Sequence, residues 1–423
     1  MTPPTPSTHR RGKSLSLLLA GMVFCGTALA PHAAAEGPQD PWYMSTWRVQ
    51  EMWEQTRGEG VTVAVLDSGV DASLPHLEGQ VMEGADFTRD PEGAHYDTEG
   101  HGTVMAGVIA GTGEGGGIQG LAPGAEILPV RVADSASWDF GLEDRFAEAI
   151  QYAVDSGAKI INIAVGSEVA SGNPEELYAA IDEAVRSDVL IFAAAGNSAE
   201  YSNLVSQPAN YDGIVGIGAV DRNGDRAVYS TPSPYVALSA PGNDVPGYCP
   251  DRSWEEACLV ERGGTSVATA LTSASAALIW SAHPDWTKNQ VLRALAQTAE
   301  GDGRRDDNVG FGMIRPDRVI LDEGVDPGEP DVNPMFDAYE RSLDPPVSPE
   351  PVPDEEPAGE PEEEEPADED AVPEGEERSD ASASGAGGDG GGGNAPALIG
   401  VIGGLIILGG VAAAVIVNRR RTA

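Results

Sequence analysis

The 423-residue chain is poor in cysteine, in basic side chains and in long apolar runs. Three cysteines cannot build a disulfide-dense scaffold. No His/Cys cluster accompanies them, so a metal centre has little to stand on. Cys25 lies in the first apolar run. Cys249 and Cys258 remain, with eight residues between them. In an exported chain that pair reads as one small-loop disulfide, free thiols or metal ligands being the alternatives. Basic residues number 25 against 68 acidic ones, a net charge of −43, which lacks the basic footprint that nucleic-acid binding requires.

Two long apolar runs stand at the two ends. Ser14–Ala30 follows Arg10, Arg11 and Lys13 and precedes Ala33-Ala34-Ala35. That order is expected of a secretory signal over residues 1–35, cut before Glu36. Ala395–Val417 is free of charge and long enough to span a bilayer. Arg419-Arg420-Arg421 behind it, in a basic tail over 418–423, belong on the cytoplasmic side. The expected location is therefore the cell membrane, with a single pass and residues 36–394 outside. No Leu-Pro-x-Thr-Gly signal precedes the span, so nothing points to covalent attachment to a wall.

Between the ends, residues 36–60 form an extension carrying Trp42, Tyr43, Trp47 and Trp53. Met44–Gln55 has the pattern of a short amphipathic helix, and the segment is too short for a folding pro-domain. Val61–Leu66 is a β-branched, nearly unbroken apolar run of the kind buried on both faces of a parallel sheet. Similar runs follow at Glu126–Val132, Lys159–Val165, Val189–Ala195 and Ile214–Val220. Phe146, Ala149, Ile150, Ala153 and Val154 fall on one helical face, closed by Gly157. Asn173-Pro174 opens another helix, as N-cap and first helical residue, with Leu177, Ala180, Ile181, Ala184 and Val185 as its inward stripe. Alternating strand and helix over 61–321 predicts an α/β fold, a doubly wound parallel sheet flanked by helices. From Asp322 to 394 composition changes: 25 acidic residues, two Arg, abundant Pro and a closing glycine run predict a disordered spacer.

Four short stretches carry chemistry. Asp67 ends the first strand in Val65-Leu66-Asp67-Ser68-Gly69. His101 opens a helix in Gly100-His101-Gly102-Thr103-Val104-Met105. Asn197 follows a strand end in Ala194-Ala195-Gly196-Asn197. Ser266 follows two glycines in Gly263-Gly264-Thr265-Ser266 and starts an apolar run that ends at His283-Pro284. Each alone suits a turn or a cap. Together they supply a nucleophile, a base, an acid to orient that base, and an amide donor for an oxyanion. Asp71, His76, His95 and His283 lack such surroundings and read as structural or surface groups.

In their order Asp, His, Ser, these motifs resemble the subtilisin-like serine proteases over roughly Val61–Leu321. The resemblance implies a serine endopeptidase, with Asp67, His101 and Ser266 as triad and Asn197 as oxyanion donor. Asn162–Ser167 is similar to the family strand that pairs with extended peptide, so Ala164, Val165 and Gly166 are substrate-binding candidates. Ala195 and Gly196 correspond to one wall of the first specificity pocket. No cofactor is implied, no metal ligand set is present, and structural calcium is left open. The leader, Trp-rich segment, protease core, acidic linker, single span and basic tail further resemble the mycosins. These are membrane-anchored subtilisin-like proteases of type VII secretion systems. That resemblance implies protein or peptide substrates, membrane attachment through the C-terminal helix, and secretion-complex subunits as partners. Two positions depart from the family pattern. Ala270 replaces a proline four residues after the nucleophile, and Val104 replaces a second histidine; neither change removes a reacting group.

Overall fold

The computed structural model describes residues 40–133, 142–169, 172–249 and 256–343, with Met1, Thr2 and Pro4. The signal segment, the span at 395–417 and the basic tail lie outside the described residues. Among the described residues no helix is long and apolar enough to cross a membrane.

In chain order come helices α1 (Trp42–Thr46) and α2 (Val49–Met52), strands β1 (Thr62–Asp67) and β2 (Ala85–Asp86), helix α3 (His101–Ala110) and strand β3 (Glu126–Arg131). Then come α4 (Leu142–Asp155), β4 (Ile160–Ile163), α5 (Pro174–Arg186), β5 (Leu190–Ala194), β6 (Ile214–Val220) and β7 (Val236–Pro241). The hairpin β8 (Val245–Tyr248) and β9 (Ala257–Val260) precedes α6 (Gly264–Ala282), α7 (Lys288–Thr298), α8 (Pro316–Ile320) and α9 (Asp337–Leu343).

Seven strands form one sheet in the order β2-β3-β1-β4-β5-β6-β7, every pairing parallel. Side chains alternate across a strand, so each apolar run feeds two cores. Val63 and Val65 of β1 join α3 and α6 on one face. Ala64 and Leu66 join Phe146 and Ile150 of α4 and Leu177 and Ile181 of α5 on the other. The Asn173 side chain accepts from the Glu175 N–H, as its N-cap role requires, and Gly157 closes α4 at φ +80°. Chain direction across the sheet reverses between β1 and β4, and at such a switch point the carboxyl ends of the strands part to leave a crevice.

Helix α6 runs through the core with its first seventeen residues buried. Its hydroxyls are nevertheless satisfied: Thr269, Thr272 and Ser275 donate to carbonyls four residues back, and Ser273 donates to Asn162 Oδ1. Ala270 is fully buried within an unbroken helix. Cys249 and Cys258 form a disulfide across the β8–β9 hairpin, with Cα atoms 5.1 Å apart.

Two expectations need correction. Met44–Gln55 is not one helix but α1 and α2, broken at Arg48, which lies at φ +47°. Tyr43, Met44 and Trp47 share one helical face, whereas Val49 and Met52 would lie opposite. All five are buried, which only a break permits. The spacer also does not begin at 322. The fold continues to Leu343, held by Lys288 Nζ on Glu340 at 2.5 Å, Asn333 Nδ2 on Glu340 and Asn289, and the Tyr339 hydroxyl on Asp182. Met335 and Phe336 pack against the core beside them.

Candidate active site

Asp67 is the last residue of β1 and has no exposed surface. Its Oδ1 accepts from the Ser68 N–H at 2.8 Å and from His101 Nδ1 at 2.7 Å, and lies 3.3 Å from Ser68 Oγ. Its Oδ2 has no hydrogen-bond partner among the described residues. His101 is the first residue of α3, entered through Gly100 at φ +74°. Gly102 lets that turn close on the strand: a Cβ there would stand 2.1 Å from the Gly69 carbonyl and 3.0 Å from Asp67 Cβ. The imidazole side chain keeps 38% of its surface exposed, so one nitrogen is anchored on Asp67 while part of the ring stays open to solvent. Burial acts to lower its pKa, but the Asp67 carboxylate, with Asp97 and Glu99, outweighs that and holds it above the usual histidine value.

The other half of the site comes from β4, β5 and α6. Ala164, Val165 and Gly166 follow directly on the last ladder pair of β4, Ile163 with Ala193. Ala164 and Gly166 are buried and Val165 is half-buried. Gly166 is followed by an antiparallel bridge between Ser167 and Gln207. Ala195 and Gly196 leave β5 with their peptide groups already engaged. Ala195 N–H donates to Ile217 and its carbonyl accepts from Ser206; Gly196 N–H donates to Thr265 Oγ1 and its carbonyl accepts from Thr231. These two residues can line a wall but have no backbone N–H to spare for a ligand.

Asn197 Oδ1 accepts from the Thr265 N–H at 2.9 Å and from Thr265 Oγ1 at 3.2 Å. Two donors on the oxygen fix which way the amide faces and turn Nδ2 away from Thr265. Gly264, at φ +81°, permits this approach, since a Cβ there would lie 3.1 Å from Asn197 Nδ2. Ser266 stands in the first turn of α6, where backbone N–H groups are unpaired and the helix dipole is positive. It is 7% exposed. Its Oγ donates to the Ala164 carbonyl at 3.0 Å rather than to His101, so the expected serine–histidine bond is not made here. Catalytic hydrogen bonds are often slack before substrate arrives.

The structure thus joins Asp67 to His101, Asn197 to the residue before Ser266, and Ser266 to Ala164. Three supporting residues were not foreseen: Asp97, Ser68 and, in its role, Thr265. Asp97 and Ser68 each sit in stretches that read equally well as turns, so only their partners reveal them. His76 is wholly buried beneath α3, and His283 stacks on Trp286 at 4.0 Å, in keeping with structural roles.

Fold and site together define a subtilisin-like serine peptidase, and the chain belongs to the subtilase family, whose sequence model matches residues 58–312. It is 36% identical over 260 residues to a thermostable alkaline protease of Halalkalibacterium halodurans, covering 61% of this chain and 68% of that one. Subtilisin E of Bacillus subtilis is 34% identical over 244 residues, covering 57% and 61% respectively, so this chain spans less than two thirds of that relative. Among solved structures, the MycP3 protease from the type VII (ESX-3) secretion system is similar at a TM-score of 0.57 and 28% identity. That similarity covers 66% of this chain and 88% of MycP3.

Proposed function

We propose that the chain is a membrane-anchored extracytoplasmic serine endopeptidase that processes protein or peptide substrates of a type VII secretion system. The observation that carries this is the 2.7 Å contact of His101 with buried Asp67, at the same end of the sheet as Ser266 and the oriented Asn197 amide. Ser266 Oγ attacks the scissile carbonyl carbon while His101 Nε2 takes its proton. The tetrahedral oxyanion receives the Asn197 Nδ2–H and the Ser266 backbone N–H. His101 returns the proton to the leaving amine, the C–N bond breaks, and an acyl-enzyme remains on Ser266. Water, deprotonated by the same histidine, releases the acid. Asp67 keeps the imidazole in the tautomer with Nδ1–H and stabilises the imidazolium.

Extended substrate pairs beside Ala164, Val165 and Gly166, with Ala195 and Gly196 as the facing wall. Anchoring is supported by the apolar stretch 395–417 and its arginine tail, and export by the leader. The link to secretion rests on the likeness to MycP3. A fluorophosphonate probe should label the wild-type protein and leave Ser266→Ala unlabelled; equal labelling of both would sink the mechanism. A second reading, a non-catalytic brace for a secretion complex, draws on the Ser266 hydroxyl being held by a carbonyl. It predicts that Ser266→Ala restores secretion in a deletion strain, whereas the enzyme predicts that it does not.

A further inference from the structure

We propose that Asp97 is a positioning residue for catalysis. Through the Ser68 hydroxyl and the first turn of α3, it sets both members of the Asp67–His101 pair. The proposal rests on the endopeptidase reading and names the group that governs the strength of its base.

Asp97 lies in the loop before α3 and receives five hydrogen bonds. Its Oδ1 accepts from Ser68 Oγ at 3.0 Å, Gly100 N–H at 2.8 Å and Glu99 N–H at 3.1 Å. Its Oδ2 accepts from Thr103 N–H at 3.0 Å and Thr103 Oγ1 at 2.5 Å. Gly100, the N-cap of α3, offers no side chain, so Asp97 meets the helix-start donors in its place. His101 is the residue enclosed by these contacts.

Ser68 carries the link to Asp67. Its Oγ accepts from the Gly102 N–H at 3.0 Å, so its one hydrogen must choose between two carboxylates. Asp97 Oδ1 is at 3.0 Å and Asp67 Oδ1 at 3.3 Å, and the shorter contact wins. Asp67 is thereby left with the Ser68 N–H and His101 as its close donors, and with no donor on Oδ2 among the described residues. A carboxylate with few other donors holds an imidazolium more strongly. Without Asp97 the hydroxyl hydrogen would turn to Asp67 and compete with the imidazole.

The other charges near His101 do not do this. Glu99 adds field from the same loop. Asp71, whose N–H donates to Thr103 Oγ1, spends its carboxylate on Ser73. Arg131, whose Nε donates to the Ser68 carbonyl, pairs with Asp86 at 2.8 Å. Tyr248 and His76, beneath α3, bond each other at 3.3 Å.

The test uses Asp97→Asn, which keeps the shape and removes the charge and the acceptor at one oxygen. In a Ser266→Ala background, NMR titration should find the His101 pKa lowered by about half a unit or more. In the active enzyme the acid limb of kcat/KM should move the same way. There kcat should fall about three- to tenfold with KM within about twofold. In a Ser68→Ala background the kcat effect should largely vanish, because the relay is already cut. A folded Asp97→Asn protein with unchanged His101 titration and unchanged kcat overturns the proposal. Should Asp97→Asn fail to fold, Asp97→Glu decides: it keeps the charge but displaces the carboxylate from Ser68, so a severalfold loss of kcat at constant KM supports the relay, and wild-type kcat overturns it. The NMR arm needs no turnover. A protein whose wild type neither turns over nor labels, yet whose His101 titration moves, would keep the positioning role and lose the endopeptidase reading.

Discussion

The two halves of the site are held by different forces. The histidine half is ionic: Asp67, Asp97 and Glu99 gather around one imidazole at the end of β1 and the start of α3. The serine half is neutral. Ser266, Thr265 and Asn197 are fixed by hydroxyl, amide and backbone contacts alone. One half therefore answers to pH and charge, and the other to geometry. A reaction that needs a tuned base and a rigid oxyanion donor has its two requirements built in separate places, which lets them be broken separately.

The largest effect belongs to the ionic half. Asp67→Asn leaves the imidazole without its acceptor and favours the wrong tautomer, so kcat should fall by about 10⁴, the scale general to serine triads. Because the wild-type histidine sits above its ordinary pKa, the acid limb of kcat/KM should lie above pH 6.5 and move down in the variant. A steady-state pH profile on a peptide ester checks both. In the neutral half, Asn197→Leu removes one oxyanion donor. The expected loss is about 10²–10³ in kcat, the magnitude general to such donors, with KM little changed. That loss should be the same across the plateau of the pH profile and leave the acid limb in place. A limb that moved with Asn197→Leu would show that the halves are not separate.

The same contrast governs what was legible in the sequence. Apolar burial writes a periodic signature, so β1, β4, β5 and β6 and the inward stripes of α4 and α5 fall where the pattern puts them. Strand ends shift by a residue or two: β4 stops at Ile163, leaving Ala164–Gly166 beyond the ladder. Polar burial writes no period. The segment from 322 to 343 is nearly as acidic as its continuation, but Glu340 and Asn333 find Lys288 and Asn289, and a handful of apolar residues complete the seat. Asp97 is obscure for the same reason: four of its five donors come from residues 99–103 beside it, as for any turn residue, and only Ser68 comes from afar. The Ser266 contact with Ala164 depends on a single rotamer, which no motif encodes.

The smallest expected effect lies under the ionic half and concerns stability. His76 packs beneath α3 without exposed surface; its Nδ1 has no hydrogen-bond partner among the described residues, and its Nε2 meets Tyr248. Burial, opposed by the Asp71 charge, pushes its pKa down to about 4, against 6.5 for the free side chain. The folded state therefore holds a neutral imidazole where the unfolded chain would bind a proton. Above pH 6.5 neither state is protonated and His76 leaves stability unchanged. Between pH 6.5 and 4 the unfolded state gains protons first, so stability falls as pH drops, by at most about 3 kcal/mol from this group. Below pH 4 its contribution no longer changes. Urea unfolding at several pH values should show this slope in the wild type and lose it in His76→Gln, while Asn197→Leu, in the neutral half, should keep it. An undiminished slope in His76→Gln would show that another group carries the acid sensitivity.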